Sequence, residues 1–311
     1  MPTLPPGPAP APEPQRPGAP AGATGIDPRQ AHQARSVAES FGADPERYDR
    51  TRPRYPGALA ERVIAASPGP EILDVGTGTG IAARQFQAAG ARVLGVEPDH
   101  RMADFARRAG VPTEVATFED WDSAGRQFDA VIAGQAWHWV DPVAGAAKAA
   151  RVLRPGGRIA LFWYVFQPPP ELAQAFADVY HRAVPDAPFA PAGTSRRILP
   201  TLEAYSAFFT RAADGIGQAG AFGAAEQWRF DWDRSYTRDE WLDQVPSFGG
   251  HSLIPPAQQA ELLAGLGAVI DAAGGAFRTH FTAVAVTAAR SAAMAPAAGA
   301  GRPPGAPGRP G

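Results

Sequence analysis

Cysteine is absent from the 311 residues, and lysine nearly so: of the 29 basic side chains, only Lys148 is not arginine. The first absence excludes disulfides, zinc–thiolate centres and a thiol nucleophile. The second removes the lysine of a Walker-type phosphate loop, because Lys148 follows no glycine-rich turn. No apolar run approaches the roughly 18–20 residues of a helical membrane span. The amino terminus lacks a basic start followed by an apolar stretch, so no secretory signal is expected there. A formal net charge of -2 argues against a dedicated nucleic-acid or membrane-surface binder. No His/Asp/Glu set has metal-ligand spacing, and no metal is expected. These exclusions leave a cytoplasmic protein, monomer or homodimer, as the expectation.

Glycine and proline, by contrast, are abundant, with 34 of each. Much of that excess falls in residues 1–32 and 291–311, which contain almost no large apolar side chains. Neither stretch can offset the entropy of ordering itself, so both read as disordered tails. Residues 33–290 remain, enough for one large α/β domain with a cap segment at about 167–226.

Within that domain strands and helices alternate. Apolar spacing predicts a helix starting at Pro56, then a buried strand at 72–75, a glycine-rich turn and a helix through Ala89. Strands follow at 92–96, 113–116, 128–133 and 158–164, with helices at 98–108 and 142–153 between them. This order predicts βαβ units and a parallel sheet covered on both faces. After Pro168-Pro169-Pro170 the pattern changes. A helix presents Leu172, Phe176, Val179 and Tyr180, residues 184–225 read as irregular apart from a helical patch at Phe208 and Phe209, and a strand covers 227–232. Helices at 238–245 and 257–273 and a long strand at 277–287 complete the chain.

The strongest local signal is Glu71-Ile-Leu-Asp-Val-Gly-Thr-Gly-Thr-Gly80. An apolar strand enters a loop with Gly76, Gly78 and Gly80, and the loop opens a helix. A nicotinamide-binding turn, G-x-G-x-x-G, would need its third glycine at position 81, which is Ile. The pattern is instead D-x-G-x-G-x-G, with Asp74 at the strand end. Bare glycines let flat and zwitterionic ligand parts approach the backbone, and the helix start offers N–H groups to a carboxylate. A second strand, Val93-Leu-Gly-Val-Glu97, ends in a carboxylate 23 residues after Asp74. There it can accept two hydrogen bonds from a ribose diol. Thr117-Phe118-Glu119-Asp120-Trp121 follows the third strand. Phe118 can stack an adenine there, or simply pack the core.

Together these elements resemble the class I S-adenosylmethionine-dependent methyltransferases over about residues 45–165. ERYDRTRPRYP (46–56), GQAWHWVDP (134–142) and RVLRPGGRIALFW (151–163) resemble the small-molecule, trans-aconitate-methyltransferase-like branch. The resemblance implies a Rossmann-like α/β fold: a seven-stranded, mostly parallel sheet with an antiparallel terminal hairpin and a helical cap. It implies S-adenosyl-L-methionine as cofactor, held by the loop of Gly76, Thr77, Gly78 and Gly80 and by Glu97 on the ribose. Thr117 and Phe118 would flank the adenine, although many relatives carry Asp where this chain has Thr117. Tyr48 and Arg52 match a Y-x-x-x-R-P segment that closes over the cofactor. Asp74 would anchor the loop or the cofactor's ammonium, or act as a structural strand-end carboxylate. Arg52 would meet the methionyl carboxylate or form an ordinary salt bridge.

In a doubly wound sheet the ligand lies where strand order reverses, here between the first and fourth strands. Gly134, Gln135, Trp137, His138 and Trp139 follow the fourth strand and fall beside the transferred methyl. Methyl transfer needs positioning of the nucleophile and exclusion of water, and Trp137 and Trp139 suit a dry wall. His138 is the nearby side chain that titrates around neutrality, so it is either a catalytic base or a packed residue. Residues 162–181 and 184–225 are placed to form the pocket for a small-molecule acceptor. Two competing readings are a non-catalytic S-adenosylmethionine-binding protein and an NAD-dependent oxidoreductase. Position 81 disfavours the latter.

Overall fold

A computed structural model of the chain describes residues 41–185 and 202–291. The expected tails, apart from Ser291, and residues 186–201 of the expected cap lie outside the described residues. Five strands run parallel: β1 (Glu71–Val75), β2 (Arg92–Glu97), β3 (Thr113–Val115), β4 (Phe128–Gly134) and β5 (Leu153–Gln167). Two more, β6 (Glu226–Thr237) and β7 (Ala276–Ala289), complete the sheet in the order β3-β2-β1-β4-β5-β7-β6. β7 is antiparallel to both neighbours. The helices are α1 (Pro45–Thr51), α2 (Gly57–Ala65), α3 (Ile81–Ala88), α4 (His100–Arg108), α5 (Pro142–Val152), α6 (Pro170–Ala183), α7 (Leu202–Gln218), α8 (Arg238–Gln244) and α9 (Pro256–Ala272). This is the seven-stranded, Rossmann-like arrangement that the motifs imply.

The sheet is covered on both faces because its central strands are apolar on both. Along β5 the side chains alternate: Phe162, Tyr164 and Phe166 join the core beneath α2, α3, α6 and α9. Leu161, Trp163 and Val165 join the core beneath α5 and α7. That is the period-2 geometry of a strand buried twice over. In β1, Ile72, Leu73 and Val75 are at most 1% exposed, so the strand is a fixed platform for the loop that follows. Helix starts are set locally. Asp141 accepts the Val143 and Ala144 N–H groups ahead of α5, with Pro142 in its first turn. Thr237 and Glu240 form a reciprocal capping box on α8.

Three local readings change. α1 precedes the helix expected at Pro56; Asp44 caps it through the Arg47 N–H, with Pro45 in the first turn. The stretch expected to be irregular carries α7, a 17-residue helix with Tyr205, Phe208, Phe209, Ala212 and Ile216 buried. Its many Ala and Gly positions dilute the apolar period, which hides the helix from pattern reading. β5 and β6 also outrun their expected lengths. β5 reaches back past Pro155 through a register shift opposite Phe128 and Ala130. β6 continues past Trp232 and pairs through Thr237 with Ala276. The antiparallel β6–β7 pair, whose connection carries α8 and α9, therefore overhangs the carboxyl edge of the sheet beyond Gln167, which pairs with His280.

Candidate cofactor and methyl-transfer site

Strand order reverses at β1, which has β2 on one side and β4 on the other. The loop leaving β1 turns on three left-handed glycines, Gly76 (φ +67°), Gly78 (φ +58°) and Gly80 (φ +86°). At Gly76 the requirement is double, because a Cβ would also lie 2.5 Å from the Ala136 Cβ. At Gly78 a Cβ would meet only the Met102 Cε, at 3.9 Å, so the backbone there faces open space that a ligand can enter. The loop is tied down from below. Gly76 and Thr77 donate to the Val96 carbonyl, and the Thr77 hydroxyl donates to Asp74 Oδ2 at 2.7 Å. Asp74 Oδ1 is buried with no hydrogen-bond partner among the described residues. Burial pushes the Asp74 carboxyl up to about 7.

Glu97 ends β2 and faces the same loop. One oxygen accepts the Gly78 N–H at 2.8 Å and the other accepts the Asp99 N–H at 3.0 Å. Burial, the largest influence, raises this carboxyl to about 7 against the pull of those two bonds. Each carboxylate oxygen can accept a second hydrogen bond. The group is thus fixed in position with capacity for two more donors.

α1 lies over this edge. The Tyr48 ring sits 4.8 Å beneath the Arg52 guanidinium, and Glu97 is among the charges acting on its hydroxyl, whose pKa burial raises. Arg52 is further boxed by Phe248 and Phe41, at 5.3 and 5.8 Å. Its Nη2 donates to the Ser247 carbonyl at 2.6 Å, while its buried Nε has no partner among the described residues. Among those residues no carboxylate pairs with Arg52, so the salt-bridge alternative finds no partner there.

Beyond β4 the chain turns sharply. Gly134 must be glycine: a Cβ would lie 2.7 Å from Phe162 Cε2 and 2.9 Å from the Tyr55 hydroxyl. Gln135 adopts φ +56°, a conformation costly for a residue with a side chain. It is held by its N–H to the Phe162 carbonyl and its side-chain amide to the Tyr164 carbonyl, both at 2.9 Å. Trp137 is 2% exposed and packs the core rather than a pocket wall. His138 and Trp139 are half-buried, with ring centroids 4.7 Å apart. His138 Nδ1 accepts the Trp163 indole N–H at 3.2 Å. Burial pushes the imidazole down to about 3.

Of the adenine candidates, Thr117 is half-buried and accepts the Asp120 N–H while donating to its carboxylate. Phe118 is 3% exposed between Trp121 and Trp137, with the Lys148 ammonium 5.5 Å from its ring. Its face is occupied by the core, the packing role rather than stacking. The sequence reading missed Tyr55, Trp163, Ser247 and Phe248. Each reaches the site through tertiary contact, and only the aromatic density of 162–181 hinted at any of them.

Residues 73–161 match the protein-family model described as a methyltransferase domain. That segment contains Asp74, the glycine loop, Glu97 and the turn after β4. An uncharacterized methyltransferase of Mycobacterium tuberculosis is 39% identical over 132 residues, 42% of this chain and 54% of that protein. The chain thus spans about half the length of that relative. A demethylmenaquinone methyltransferase of Corynebacterium kroppenstedtii is 26% identical over 159 residues, 49% of this chain and 69% of its own. A solved structure from Anaeromyxobacter dehalogenans, named for a type II methyltransferase, shares the fold. Its TM-score is 0.54 at 23% identity, over 76% of this chain and 97% of that one. The strand order 3-2-1-4-5-7-6 with antiparallel β7 is the Rossmann-like methyltransferase fold. Residues 73–161, which hold the glycine loop and Glu97, are similar to that methyltransferase domain. No described helix is long and apolar enough to cross a membrane.

Proposed function

We propose that this chain transfers a methyl group from S-adenosylmethionine to a small-molecule acceptor. The observation that carries the reading is the Glu97 carboxylate, fixed by the Gly78 and Asp99 N–H groups beside an open glycine backbone. Such a group suits a ribose diol, each hydroxyl donating to one oxygen. The charges around it fit the rest of that molecule. Arg52 is a cation without a carboxylate among the described residues, suited to the methionyl carboxylate. Asp74, with Oδ1 unpartnered, suits the ammonium, directly or by holding Thr77 and the loop.

The donor, when bound, supplies an electrophilic methyl carbon on a sulfonium. What the chain contributes is placement and dryness. Gly76 and Gly134 keep the backbone close, because side chains at either position would collide with Ala136 or with Phe162 and Tyr55. Gln135 and Trp139 border the turn after β4, where the acceptor would sit. Bringing two reactants together in a water-poor site is worth several kcal/mol of barrier. The small-molecule branch is favoured by the segments 46–56, 134–142 and 151–163. The demethylmenaquinone methyltransferase relative adds a second acceptor type to the same general class.

Calorimetry tests this reading. The full-length chain, with chelator present, is expected to bind S-adenosylhomocysteine with one site per chain. A folded protein that binds neither S-adenosylhomocysteine nor S-adenosylmethionine contradicts it.

A further inference from the structure

His138 sits at the carboxyl edge of β4, four residues after Gly134, and its two ring nitrogens have different fates. Nδ1 faces the Trp163 indole, whose nitrogen can only donate, so Nδ1 must be an acceptor without a proton. In a neutral imidazole the proton then sits on Nε2. Nε2 has no partner among the described residues, and the residue is half-buried, so part of it remains open. The ring is held between Trp139 and Phe208, with centroids 4.7 and 5.0 Å away. It is an oriented N–H in an aromatic surround.

We propose that His138 is a fixed, neutral hydrogen-bond donor that binds the acceptor through Nε2–H, and that the acceptor is an acidic phenol or enol bound as its oxyanion. The inference rests on the methyltransferase reading and adds the acceptor's chemical class to it. Taking up a proton at Nδ1 would require breaking the Trp163 bond and setting two donors face to face. Burial acts in the same direction, pushing the imidazole down to about 3. Among the described residues the groups facing His138 are Trp163 on β5, Trp139 on its own turn and Phe208 on α7, with Tyr205 packed behind Phe208. Tyr205 is the titratable one, and burial pushes its pKa up, so it offers no base at neutral pH. Asp74 and Glu97 lie at the glycine loop, where Asp74 accepts from the Thr77 hydroxyl and Glu97 from the Gly78 and Asp99 N–H groups. Among the described residues no base lies against His138, so an acceptor oxygen that meets Nε2–H does so after losing its proton to solvent. Its free lone pair then forms the O–C bond while the C–S pair leaves with the neutral thioether. No proton moves in that step.

NMR on the full-length chain, labelled with 15N-histidine and loaded with S-adenosylhomocysteine, tests this without turnover. The His138 signals are identified by their loss in His138→Gln. The expected spectrum has a protonated Nε2 and a bare Nδ1, unchanged from about pH 5.5 to 9, as befits a buried neutral ring. The probe is 4-nitrophenolate, with 4-nitroanisole as the control that lacks an anionic oxygen. The phenolate should shift the Nε2–H signal and the anisole should not. His138→Phe should weaken phenolate binding about tenfold, one charge-assisted hydrogen bond, with S-adenosylhomocysteine affinity unchanged. His138→Gln, which keeps a donor, should stay within about threefold. Trp163→Phe, which removes the bond that fixes the tautomer, should let the proton redistribute onto Nδ1, while burial still keeps the imidazole below the ordinary histidine range. A wild-type His138 that titrates in that ordinary range, a proton on Nδ1, or no phenolate binding overturns the proposal. Loss of S-adenosylhomocysteine binding in the wild type would instead overturn the methyltransferase reading.

Discussion

The Gly78 N–H donates to the Glu97 carboxylate at 2.8 Å, joining the glycine loop of β1 to the end of β2 across 19 residues of sequence. The bond fixes the carboxylate before any ligand arrives, so little ordering remains for binding to accomplish. Glu97→Ala is expected to weaken S-adenosylhomocysteine binding by tenfold or more. Two charge-assisted hydrogen bonds, each worth about 1.5–3 kcal/mol, are at stake. Calorimetry on the folded variant reads the effect, and a change below about twofold would show that Glu97 does not hold the ribose.

The same carboxylate makes binding depend on pH. Glu97 accepts hydroxyl donors best when ionised, and burial raises both it and Asp74 to about 7. A ligand that favours the ionised form must expel a proton below that pH. Affinity should therefore fall as pH drops below about 7, by at most tenfold per pH unit for one proton, and level off above about pH 8. Asp74 and Glu97 act on each other, so the apparent midpoint belongs to the pair. Titrations in buffers of different ionisation enthalpy should detect the released proton. An affinity constant across that range would contradict this role for the carboxylates.

Arg52 gives a test specific to one end of the cofactor. Arg52→Gln should weaken S-adenosylhomocysteine about tenfold, the loss of a charged hydrogen-bond partner. Binding of 5′-methylthioadenosine, which lacks the amino-acid end, should hardly change. Equal losses for the two ligands would place the carboxylate elsewhere.

Gly76→Ala should destabilise the protein by about 2–4 kcal/mol. A left-handed backbone costs an alanine about 1–2 kcal/mol, and the 2.5 Å approach to Ala136 adds an overpacking cost. Gly90→Ala is the control, since Gly90 also has a positive φ of +98° but nothing within 4 Å of a Cβ. It should lose only the backbone part. Similar melting temperatures for the two variants would show that the loop yields at Ala136.

Much of this architecture could be read from local sequence, because local rules govern it. The run Ile72–Val75 is apolar because β1 is covered on both faces. Ile81 in place of a third glycine separates this loop from a dinucleotide turn, and Glu97 falls at the end of the next strand. What escaped is set by contacts distant in sequence. Trp163 meets His138 across 25 residues, and Ser247 meets Arg52 across 195. Phe118 has an aromatic side chain suited to stacking, but Trp121 and Trp137 claim its faces. Helix α7 is obscured for a compositional reason, since the turns containing Ala212, Ala213, Gly215 and Gly217 carry little periodic contrast.

The most direct test of the central claim is transfer itself. The full-length chain, incubated with methyl-labelled S-adenosylmethionine and fractionated metabolite extracts, is followed by mass spectrometry. The account predicts a small molecule that gains one labelled methyl, with S-adenosylhomocysteine formed in equal amount. A folded chain that binds the cofactor yet forms S-adenosylhomocysteine with no extract would contradict it, and would leave a cofactor-binding protein without methyl transfer.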